Sequence, residues 1–543
     1  MFRSQASASA RSVLPAPRSY GGTLAAVAFA CVLVFSAHCA AAAATTAGQT
    51  VTVAMFQRIA SLDPAHSSLY EPHSIAANVF ETLVTVSRNG TVQPAVAESW
   101  NVTPDGRRWT FTLHEGRSFH DGSPLNAYAV EYSFQRLMDP AHPQYTPYPD
   151  WKRLLFGQVN SIRALDDNTL EIELDNPYAP LLHNLATPGA SIVSPRSLQE
   201  MHDGRTAIPA GSGPFRVASY SPEAVTLIPA AGHTPPPRCN VRYEYYASSS
   251  SALEALLSGR ADIVPGLTEQ DEKTAQRLGA YTIIRHPQLS VIFLACNGAS
   301  EKMRSPEIRR AVSLSINRNS LATVVLGANG MPATGLLPPE MWAKDHSLPP
   351  YEYAPDKARQ LLLRSGYPQG ISLTALQLDA SRPFMPSPRL FAVTLKYLMA
   401  GAGITLSIET LPPDALRERR AQGDYDLFIN AWVADTADPD NLYSTHLYAG
   451  PDNPLHRVHI PELDRLIEES VSTPVRGERA RAYRRIQRIE REQMPCIPVM
   501  HSSLPVILRR GISGMRITTG SYLIFRNTVK TAPADRAQQR PAP

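Results

Sequence analysis

Residues 371–400, ISLTALQLDASRPFMPSPRLFAVTLKYLMA, contain a strand pattern, a polar loop and a helix pattern in succession. The short apolar run Ser372 to Leu376 is typical of a strand. From Leu390 to Ala400, apolar residues recur at helical spacing. A strand that is joined to a helix by a loop is the building block of an α/β fold, and we predict that class for this region.

The same alternation of strands and helices continues through the rest of the chain. Further strands are predicted at residues 50–54, 109–113, 170–174, 291–295 and 427–430. Helices are predicted at residues 75–84, 127–138, 308–326, 356–365, 460–470 and 476–494. This alternation predicts an α/β protein. After about Asn527 the chain is rich in Pro, Ala, Gln and Arg without periodicity, so we expect a disordered tail.

Composition favours a folded chain with a near-neutral body. The 543 residues are 43% hydrophobic and 18% charged, which is an ordinary globular balance. The formal charge is +4, but residues 1–48 contain three arginines and no acidic residue, so the remainder carries only +1. Such a body lacks the broad basic surface that nucleic acid requires, and we expect no nucleic-acid partner.

The N-terminus has the layout of a secretory signal peptide, which we place at residues 1–47. Three arginines precede the apolar run Leu24 to Ala37, and an alanine-rich stretch follows. This run of 14 residues is short for a bilayer span, although a retained membrane anchor is the alternative. Cys39 follows His38 rather than a small residue, so we expect no lipidation and a mature chain that starts between about residues 43 and 48.

The remaining cysteines give no metal signature. Cys239, Cys296 and Cys496 are too widely spaced for a zinc-binding pattern. One pair could form a disulfide in an oxidising compartment and leave the third cysteine free, or all three could be buried thiols. We expect no metal site and no cofactor.

A series of short motifs follows one order along the chain. They are FETL at 80–83, PAVAESW at 94–100, DG at 105–106, FHDGSP at 119–124, VEYSF at 130–134, GSGPF at 211–215, RRAV at 309–312, INR at 316–318, YAPDKA at 353–358, LL at 361–362 and GY at 366–367. Together they resemble family 5 of the extracytoplasmic solute-binding proteins, the peptide- and nickel-type receptors of ABC importers. The resemblance covers about residues 50–529, and its strength comes from the order of motifs that are individually weak.

The resemblance implies an α/β fold of two lobes joined by a pair of crossing strands, the class II or cluster C type of periplasmic binding protein. An extra subdomain is inserted in the first lobe. The implied boundaries are 48–80, 207–285 and 499–529 for lobe I, 81–206 for the inserted subdomain, 286–498 for lobe II and 530–543 for the tail. The ligand would be enclosed between the lobes by hinge closure.

Two motifs resemble those of the dipeptide-binding members of the family. Residues 432–441, WVADTADPDN, resemble a stretch whose first Asp binds the peptide α-amino group. Residues 381–386, SRPFMP, resemble a stretch whose Arg binds the peptide carboxylate, for which a forked guanidinium is well suited. The resemblance assigns these roles to Asp435 and Arg382, with Trp432 and Phe384 beside them in the binding site. Phe384 replaces the Tyr of the family motif, so a hydroxyl contact is lost.

The carboxylates of this stretch, Asp435, Asp438 and Asp440, also have interpretations that are independent of the family. Their spacing does not fit a calcium loop, because no Gly follows and residue 446 is His rather than Glu. Two of them could serve acid/base catalysis, or Asp438 and Asp440 could shape the turn around Pro439. Asp435 follows an apolar strand directly, and strand ends are where α/β folds present ligand-binding groups.

The last predicted helix is strongly basic. Residues 476–491 contain seven arginines, with Tyr483, Ile486 and Ile489 between them. This helix could bind a membrane surface or an acidic partner, or its apolar stripe could pack in the core while its charges face water. We favour the second interpretation.

The resemblance implies a receptor rather than an enzyme, and the absence of GxSxG, SxxK and HExxH motifs agrees with this expectation. The residues Gly211, Ser212 and Gly213 lead into a proline and suit a tight turn better than a phosphate site. We expect a periplasmic monomer that captures short peptides, dipeptides above all, and delivers them to an inner-membrane ABC permease and its ATPase. The alternatives are a receptor of the same fold for nickel, haem or an antimicrobial peptide and, from a different class, a secreted hydrolase that uses the Asp435 region.

Overall fold

The computed structural model describes residues 49–67, 69–147, 151–278, 281–382, 384–450, 453 and 455–531. The strands within these residues are β1 Thr50–Met55, β2 Val84–Val86, β3 Val92–Pro94, β4 Ala97–Val102, β5 Arg108–Leu113, β6 Val159–Ala164, β7 Thr169–Leu174, β8 Phe215–Ser221, β9 Ala224–Pro229, β10 Asn240–Tyr245, β11 Ile263–Pro265, β12 Tyr281–Pro287, β13 Ser290–Cys296, β14 Gly330–Pro332, β15 Ile371–Leu378, β16 Ile404–Leu411, β17 Leu427–Val433, β18 Cys496–Arg509, β19 Ile512–Ser513, β20 Arg516–Ile517, β21 Leu523–Ile524 and β22 Val529–Lys530. All five further strands predicted from sequence, and the strand in 371–400, are confirmed.

Helices connect most of these strands. Their bounds are α1 Tyr70–Val79, α2 Ala127–Met138, α3 Trp151–Leu155, α4 Leu181–Asn184, α5 Pro195–His202, α6 Ser249–Ser258, α7 Glu269–Arg277, α8 Glu301–Arg304, α9 Pro306–Leu314, α10 Arg318–Leu326, α11 Pro355–Arg364, α12 Pro388–Ala400, α13 Pro413–Gln422, α14 Asp440–His446, α15 Pro461–Ser472 and α16 Arg476–Gln493. Within the described residues, none of these helices is both long and apolar enough to cross a bilayer.

One large mixed sheet of twelve strands runs through the molecule in the order β16-β15-β17-β13-β18-β11-β1-β10-β9-β8, with β12 and β14 also paired to β18. The 14-residue strand β18 joins the two halves of this sheet. Its first half pairs with β13, where Cys496 lies opposite Ala295, and its second half pairs with β11, where Leu508 lies opposite Ile263. Since β12 and β13 pair with opposite halves of β18, two connections run side by side between the halves of the sheet. These are the crossing strands of the predicted two-lobe fold, which is confirmed.

A separate antiparallel sheet, β4-β5-β7-β6, lies in the region where the inserted subdomain is expected. Its strands alternate buried and partly exposed residues, and Trp109 and Phe111 pack in a core with Phe134 of α2. The predicted helix over 127–138 is confirmed as α2. It begins there because the Asn126 side chain accepts a hydrogen bond from the Ala129 amide and caps the first turn. The exact boundaries of the lobes and of the subdomain stay a prediction.

Two predicted helices differ from the structure. The helix expected over 75–84 lies at Tyr70–Val79, because Pro72 is tolerated in the first turn while residues 84–86 are needed for β2. The single helix expected over 308–326 is divided into α9 and α10. Asn317 accepts a hydrogen bond from the Ser320 amide and starts a second helix, although the apolar periodicity continues across the break.

Gly211 and Gly213 serve a close approach rather than a turn that only glycine can adopt. Neither has a positive φ, but a Cβ on Gly211 would lie 2.1 Å from the Val79 carbonyl oxygen. The Gly213 amide donates a hydrogen bond to that same oxygen at 2.8 Å. Because glycine has no side chain, this segment can pack on the end of α1. Close packing, and not the predicted tight turn, is therefore the reason for glycine at these positions.

The ends of the chain qualify two further expectations. The predicted signal peptide falls outside the described residues, as does the tail from residue 532 onward. Residues 529–530, however, form β22 and pair with β19, so order extends beyond Asn527. Cys239, Cys296 and Cys496 are buried free thiols.

Candidate functional site

The two predicted charged groups follow the ends of strands that run parallel to each other. Strands β15 and β17 pair in parallel, with Ala375 opposite Leu427 and Gln377 opposite Ile429. Their carboxyl ends therefore meet at one edge of the sheet, which is where α/β folds bind ligands. Arg382 lies in the loop after β15, and Asp435 lies two residues after the last residue of β17.

Asp435 borders a cavity of about 750 Å³ between the halves of the molecule. The opposite walls of this cavity come from residues near the start and the end of the chain, among them Glu81 and Tyr522. The Asp435 backbone amide is fixed by a hydrogen bond of 3.2 Å to Asn441 Oδ1. Asp435 is an exposed residue, so its carboxylate is accessible to a ligand that enters this cavity.

Partial desolvation by the surrounding protein raises the pKa of the Asp435 carboxyl above its ordinary value, and the hydrogen bonds that it accepts only partly oppose this. Among the described residues, no cation contributes to this pKa. The same carboxylate helps burial to raise the pKa of Tyr522. A negative charge that has no cationic partner and faces a cavity is suited to a cationic group of a ligand.

Arg382 lies against a smaller cavity of about 160 Å³, which it lines together with Trp432. Its Nη1 donates a hydrogen bond of 3.3 Å to the Ala431 carbonyl, and its Cζ lies 5.9 Å from the centre of the Phe384 ring. Burial lowers the pKa of this guanidinium. No carboxylate among the described residues pairs with it, so its charge is also uncompensated.

The structure brings these residues to one edge of the sheet but not into one cavity. The cavities of Asp435 and Arg382 have no lining residue in common, and Phe384 borders neither of them. Phe384 instead packs, partly buried, against the core of the half that contains β15. Trp432 is linked to Asp435 because its Nε1 donates a hydrogen bond of 3.2 Å to Asn441 Oδ1, the oxygen that also accepts from the Asp435 amide.

Asp438 is a structural residue, since it is completely buried in an ion pair. It accepts hydrogen bonds from Arg479 Nη1 at 2.7 Å and Nη2 at 2.6 Å, and His183 Nδ1 lies 3.3 Å from its Oδ2. Burial alone would raise the pKa of Asp438, but the charge of Arg479 outweighs it and the pKa is lowered. The arginines of the basic helix were expected to face water, and for Arg479 that expectation was wrong. Tyr483 of the apolar stripe is buried as predicted.

Asp440 is likewise buried and has polar partners. Its carboxylate accepts a hydrogen bond of 2.6 Å from the Tyr178 hydroxyl and another from the Ser444 hydroxyl. Burial and the neighbouring charge of Asp438 raise the pKa of Asp440. Asp438 and Asp440 are therefore structural groups that hold the loop after β17 against the region around residues 178–183. The sequence predicted for them only a role in shaping a local turn.

Three contributors to this site were not identified from the sequence. Asn441 was recognised only as part of a motif, yet its amide oxygen orders both Trp432 and Asp435. Tyr522 and His183 come from segments far away in the chain, and no local pattern marks them. Within the described residues, no group of His, Cys, Asp and Glu side chains is arranged to hold a metal ion.

The comparisons with known proteins agree with this architecture. Di/tripeptide-binding protein 1 of Pseudomonas aeruginosa is 28% identical over 484 residues, which cover 84% of this chain and 90% of that protein. Heme-binding protein A of Haemophilus influenzae is 28% identical over 449 residues, covering 78% of this chain and 82% of that protein. The solved structure of HbpA2 from Haemophilus parasuis superposes with a TM-score of 0.82 at 22% identity, over 89% of this chain and all of that one.

The family itself is identified by a sequence profile. The profile of the bacterial extracellular solute-binding proteins, family 5 (its middle region), matches residues 91–454. This match includes Arg382 and Asp435 and covers more than half of the chain. The chain therefore belongs to family 5 of the bacterial extracellular solute-binding proteins.

Proposed function

We propose that this protein is a periplasmic receptor that binds short peptides between its lobes and hands them to an ABC permease and its ATPase in the inner membrane. The observation that carries the proposal is the uncompensated Asp435 carboxylate at the 750 Å³ cavity. The α-ammonium group is common to all unmodified peptides, so a receptor that tolerates many side chains is best served by a fixed carboxylate at that point. Asp435 would bind this ammonium, and Arg382 would bind the carboxylate at the other end of a dipeptide.

The relatives support a peptide as the ligand. Di/tripeptide-binding protein 1 aligns over 84% of this chain. The wall of the cavity carries Asp435 and Arg88, two groups of opposite charge that suit a zwitterionic ligand. Asp435 and Arg382 line separate cavities, and we expect them to contact one ligand only when lobe closure brings these cavities together.

The alternative within the same fold is a receptor for a non-peptide solute. Heme-binding protein A aligns at the same identity as the peptide-binding relative, which keeps this alternative in view. The two candidates differ in what they require of Asp435. A free ammonium is essential only if the ligand is a peptide or another amine.

The division into lobes also belongs to this proposal. Separate apolar cores support it: one is built mainly from residues 292–500, one from residues 65–192, and one combines residues 51–263 with residues 504–525. The third core agrees with a first lobe that is assembled from distant segments, as the predicted boundaries 48–80, 207–285 and 499–529 require.

The test is calorimetric titration of Ala-Ala and N-acetyl-Ala-Ala into the wild type and the Asp435→Asn variant. Removal of one partner of a buried, hydrogen-bonded charge pair costs about 2–5 kcal/mol, or about 30- to 5000-fold in affinity. We expect the wild type to prefer the free peptide by at least the lower factor and the variant to lose this preference. Asp414→Asn is the matched control, because Asp414 is an exposed residue of α13 and its substitution should change nothing.

The opposite result is easily recognised. Equal affinity of the wild type for the free and the acetylated peptide would remove the role of Asp435. Absence of binding by any di- or tripeptide, together with recovery of a non-peptide ligand from the purified, denatured protein by mass spectrometry, would replace the peptide proposal with the alternative.

A further inference from the structure

A second cationic cluster lies beside the cavity of Arg382. Arg420 from α13, Arg457 and His446 surround a cavity of about 40 Å³ over the face of β13 and β17. This cavity and the Arg382 cavity share two lining residues of β17, Phe428 and Asn430. The two spaces are therefore neighbours on the same side of the sheet.

Arg420 differs from the other arginines of its helix. Arg417 pairs with Asp414 at 3.0 Å, and Arg419 pairs with Glu409 at 3.1 Å. Arg420 has no such partner among the described residues; its guanidinium lies over the Phe428 ring at 4.1 Å, and its buried Nε has no hydrogen-bond acceptor there. A buried donor without an acceptor is costly, so it marks a place where a ligand can supply one.

Arg457 is held in place by neutral groups. Its guanidinium donates hydrogen bonds to the carbonyl oxygens of Tyr448 and Thr445, which fix its position without cancelling its charge. Burial and the charge of Arg420 lower the pKa of Arg457, and the charge of Asp464 offsets this only in part. The two guanidinium groups thus repel each other across a space that contains no compensating carboxylate among the described residues.

His446 adds a neutral polar group to the same cavity. Its Nε2 is buried without a hydrogen-bond partner in the described part of the chain. Burial, assisted by Arg457 and Arg420, lowers its pKa to about 3, so the imidazole is uncharged at neutral pH. An uncharged imidazole can donate one hydrogen bond to an anion.

The size of the cavity limits what it can hold. A cavity needs roughly 10–15 Å³ to hold one water molecule, so 40 Å³ accommodates a group of about three non-hydrogen atoms. A carboxylate has this size and provides acceptors for Arg420 and His446 together. A whole amino-acid side chain would fit only if its stem remained in the neighbouring Arg382 cavity.

We propose that the Arg420, Arg457 and His446 cavity binds a second carboxylate, that of an acidic side chain on the C-terminal residue of the ligand. This inference rests on the proposed function, because it takes the α-carboxylate of the same residue to be at Arg382. It makes the protein a receptor with a preference for peptides that end in Glu or Asp. A free small carboxylic acid has the same chemistry and is distinguished by experiment.

The first arm of the test is titration of Ala-Glu, Ala-Gln and Ala-Ala into the wild type, Arg420→Gln and Arg417→Gln. Ala-Gln has the shape of Ala-Glu without its charge. Charge-assisted hydrogen bonds support an expected preference of about 10- to 100-fold for Ala-Glu over Ala-Gln in the wild type. Arg420→Gln should abolish the preference, and Arg417→Gln, on the same helix but facing solvent, should keep it.

The second arm measures the melting temperature of the same three proteins in sodium acetate and in sodium chloride of equal ionic strength. A rise in acetate that Arg420→Gln alone lacks, without any preference for Ala-Glu, assigns the cavity to free carboxylates. Binding of Ala-Ala with neither the Ala-Glu preference nor the acetate effect overturns the inference and leaves the peptide proposal intact. If no peptide binds and acetate has no effect, both are overturned.

Discussion

The Asp438–Arg479 pair allows a sharp prediction for the Asp438→Asn variant. Asp438 is fully buried, and both of its oxygens accept hydrogen bonds from Arg479, at 2.7 and 2.6 Å. Asparagine keeps the shape but removes the carboxylate that pairs with the buried guanidinium and leaves only the neighbouring Asp440 to offset its charge. Removal of one partner from a buried ion pair costs about 3–5 kcal/mol, and we expect this loss in the free energy of unfolding.

The loss can be converted to a melting temperature. At about 2.1 cal/mol/K per residue, the roughly 470 residues of the folded part give an unfolding entropy of about 1 kcal/mol/K. We therefore expect calorimetry at pH 7 to show a decrease of about 3–5 °C, and a larger one if the lobe that contains the pair unfolds separately. The control variant is Asp414→Asn, because the exposed ion pair of Asp414 with Arg417 contributes little to the free energy of unfolding.

The pH dependence has a definite sign. Burial would raise the folded-state pKa of Asp438, but the positive charge of Arg479 outweighs this effect and the pKa is lowered. A group of this kind contributes stability above its unfolded pKa, about 3.9, and loses that contribution as the pH falls through the folded value. The difference between wild type and Asp438→Asn should therefore shrink below about pH 4. A decrease in melting temperature at pH 7 no larger than that of Asp414→Asn would refute the reasoning.

Three further predictions concern binding and packing. Arg382→Gln should lose about 30-fold or more in affinity for Ala-Ala and none for its C-terminal amide, and titration that shows equal losses would contradict the carboxylate role. Small-angle scattering should show a smaller radius of gyration with saturating peptide, and an unchanged radius would contradict hinge closure. Gly211→Ala should cost about 1–3 kcal/mol or more, because its Cβ would lie 2.1 Å from the Val79 carbonyl oxygen, whereas Gly477→Ala meets no atom within 4 Å and should not destabilise the protein. Similar urea midpoints for the two glycine variants would show that the backbone moves aside freely.

The sequence predicted most of the fold because each element carries its own local signal. Strands such as β5 alternate buried and more exposed side chains, and α2 is bounded by a capping Asn126. The error at residues 308–326 has a physical reason. Apolar spacing reports which residues face the core, and it continues across the start of α10, where only the side chain of Asn317 marks the break.

The sequence points to the candidate site residues by two kinds of signal. Asp435 is predicted from its place after a strand end together with the family motif, whereas Arg382 is predicted from the family motif alone. Contacts between residues that are far apart in the sequence give no local sequence signal. The Arg479 side chain pairs with Asp438 across 41 residues of sequence, and one basic residue among seven in its helix gives no sign that it is buried. The cavity at Asp435 is likewise lined by Tyr522, a residue from the last part of the chain.

Strand β18 also determines when the native sheet can be completed during folding. It lies between β13 and β11, and these two strands do not pair with each other, so a chain in which β18 has not yet paired has two half-sheets with unpaired edges. Residues 496–509 lie in the last tenth of the chain. Completion of the sheet therefore closes long loops, and pairing of this kind is slow. Until it occurs, the exposed edges of β11 and β13 are open to pairing with other chains, so aggregation competes with folding during this step.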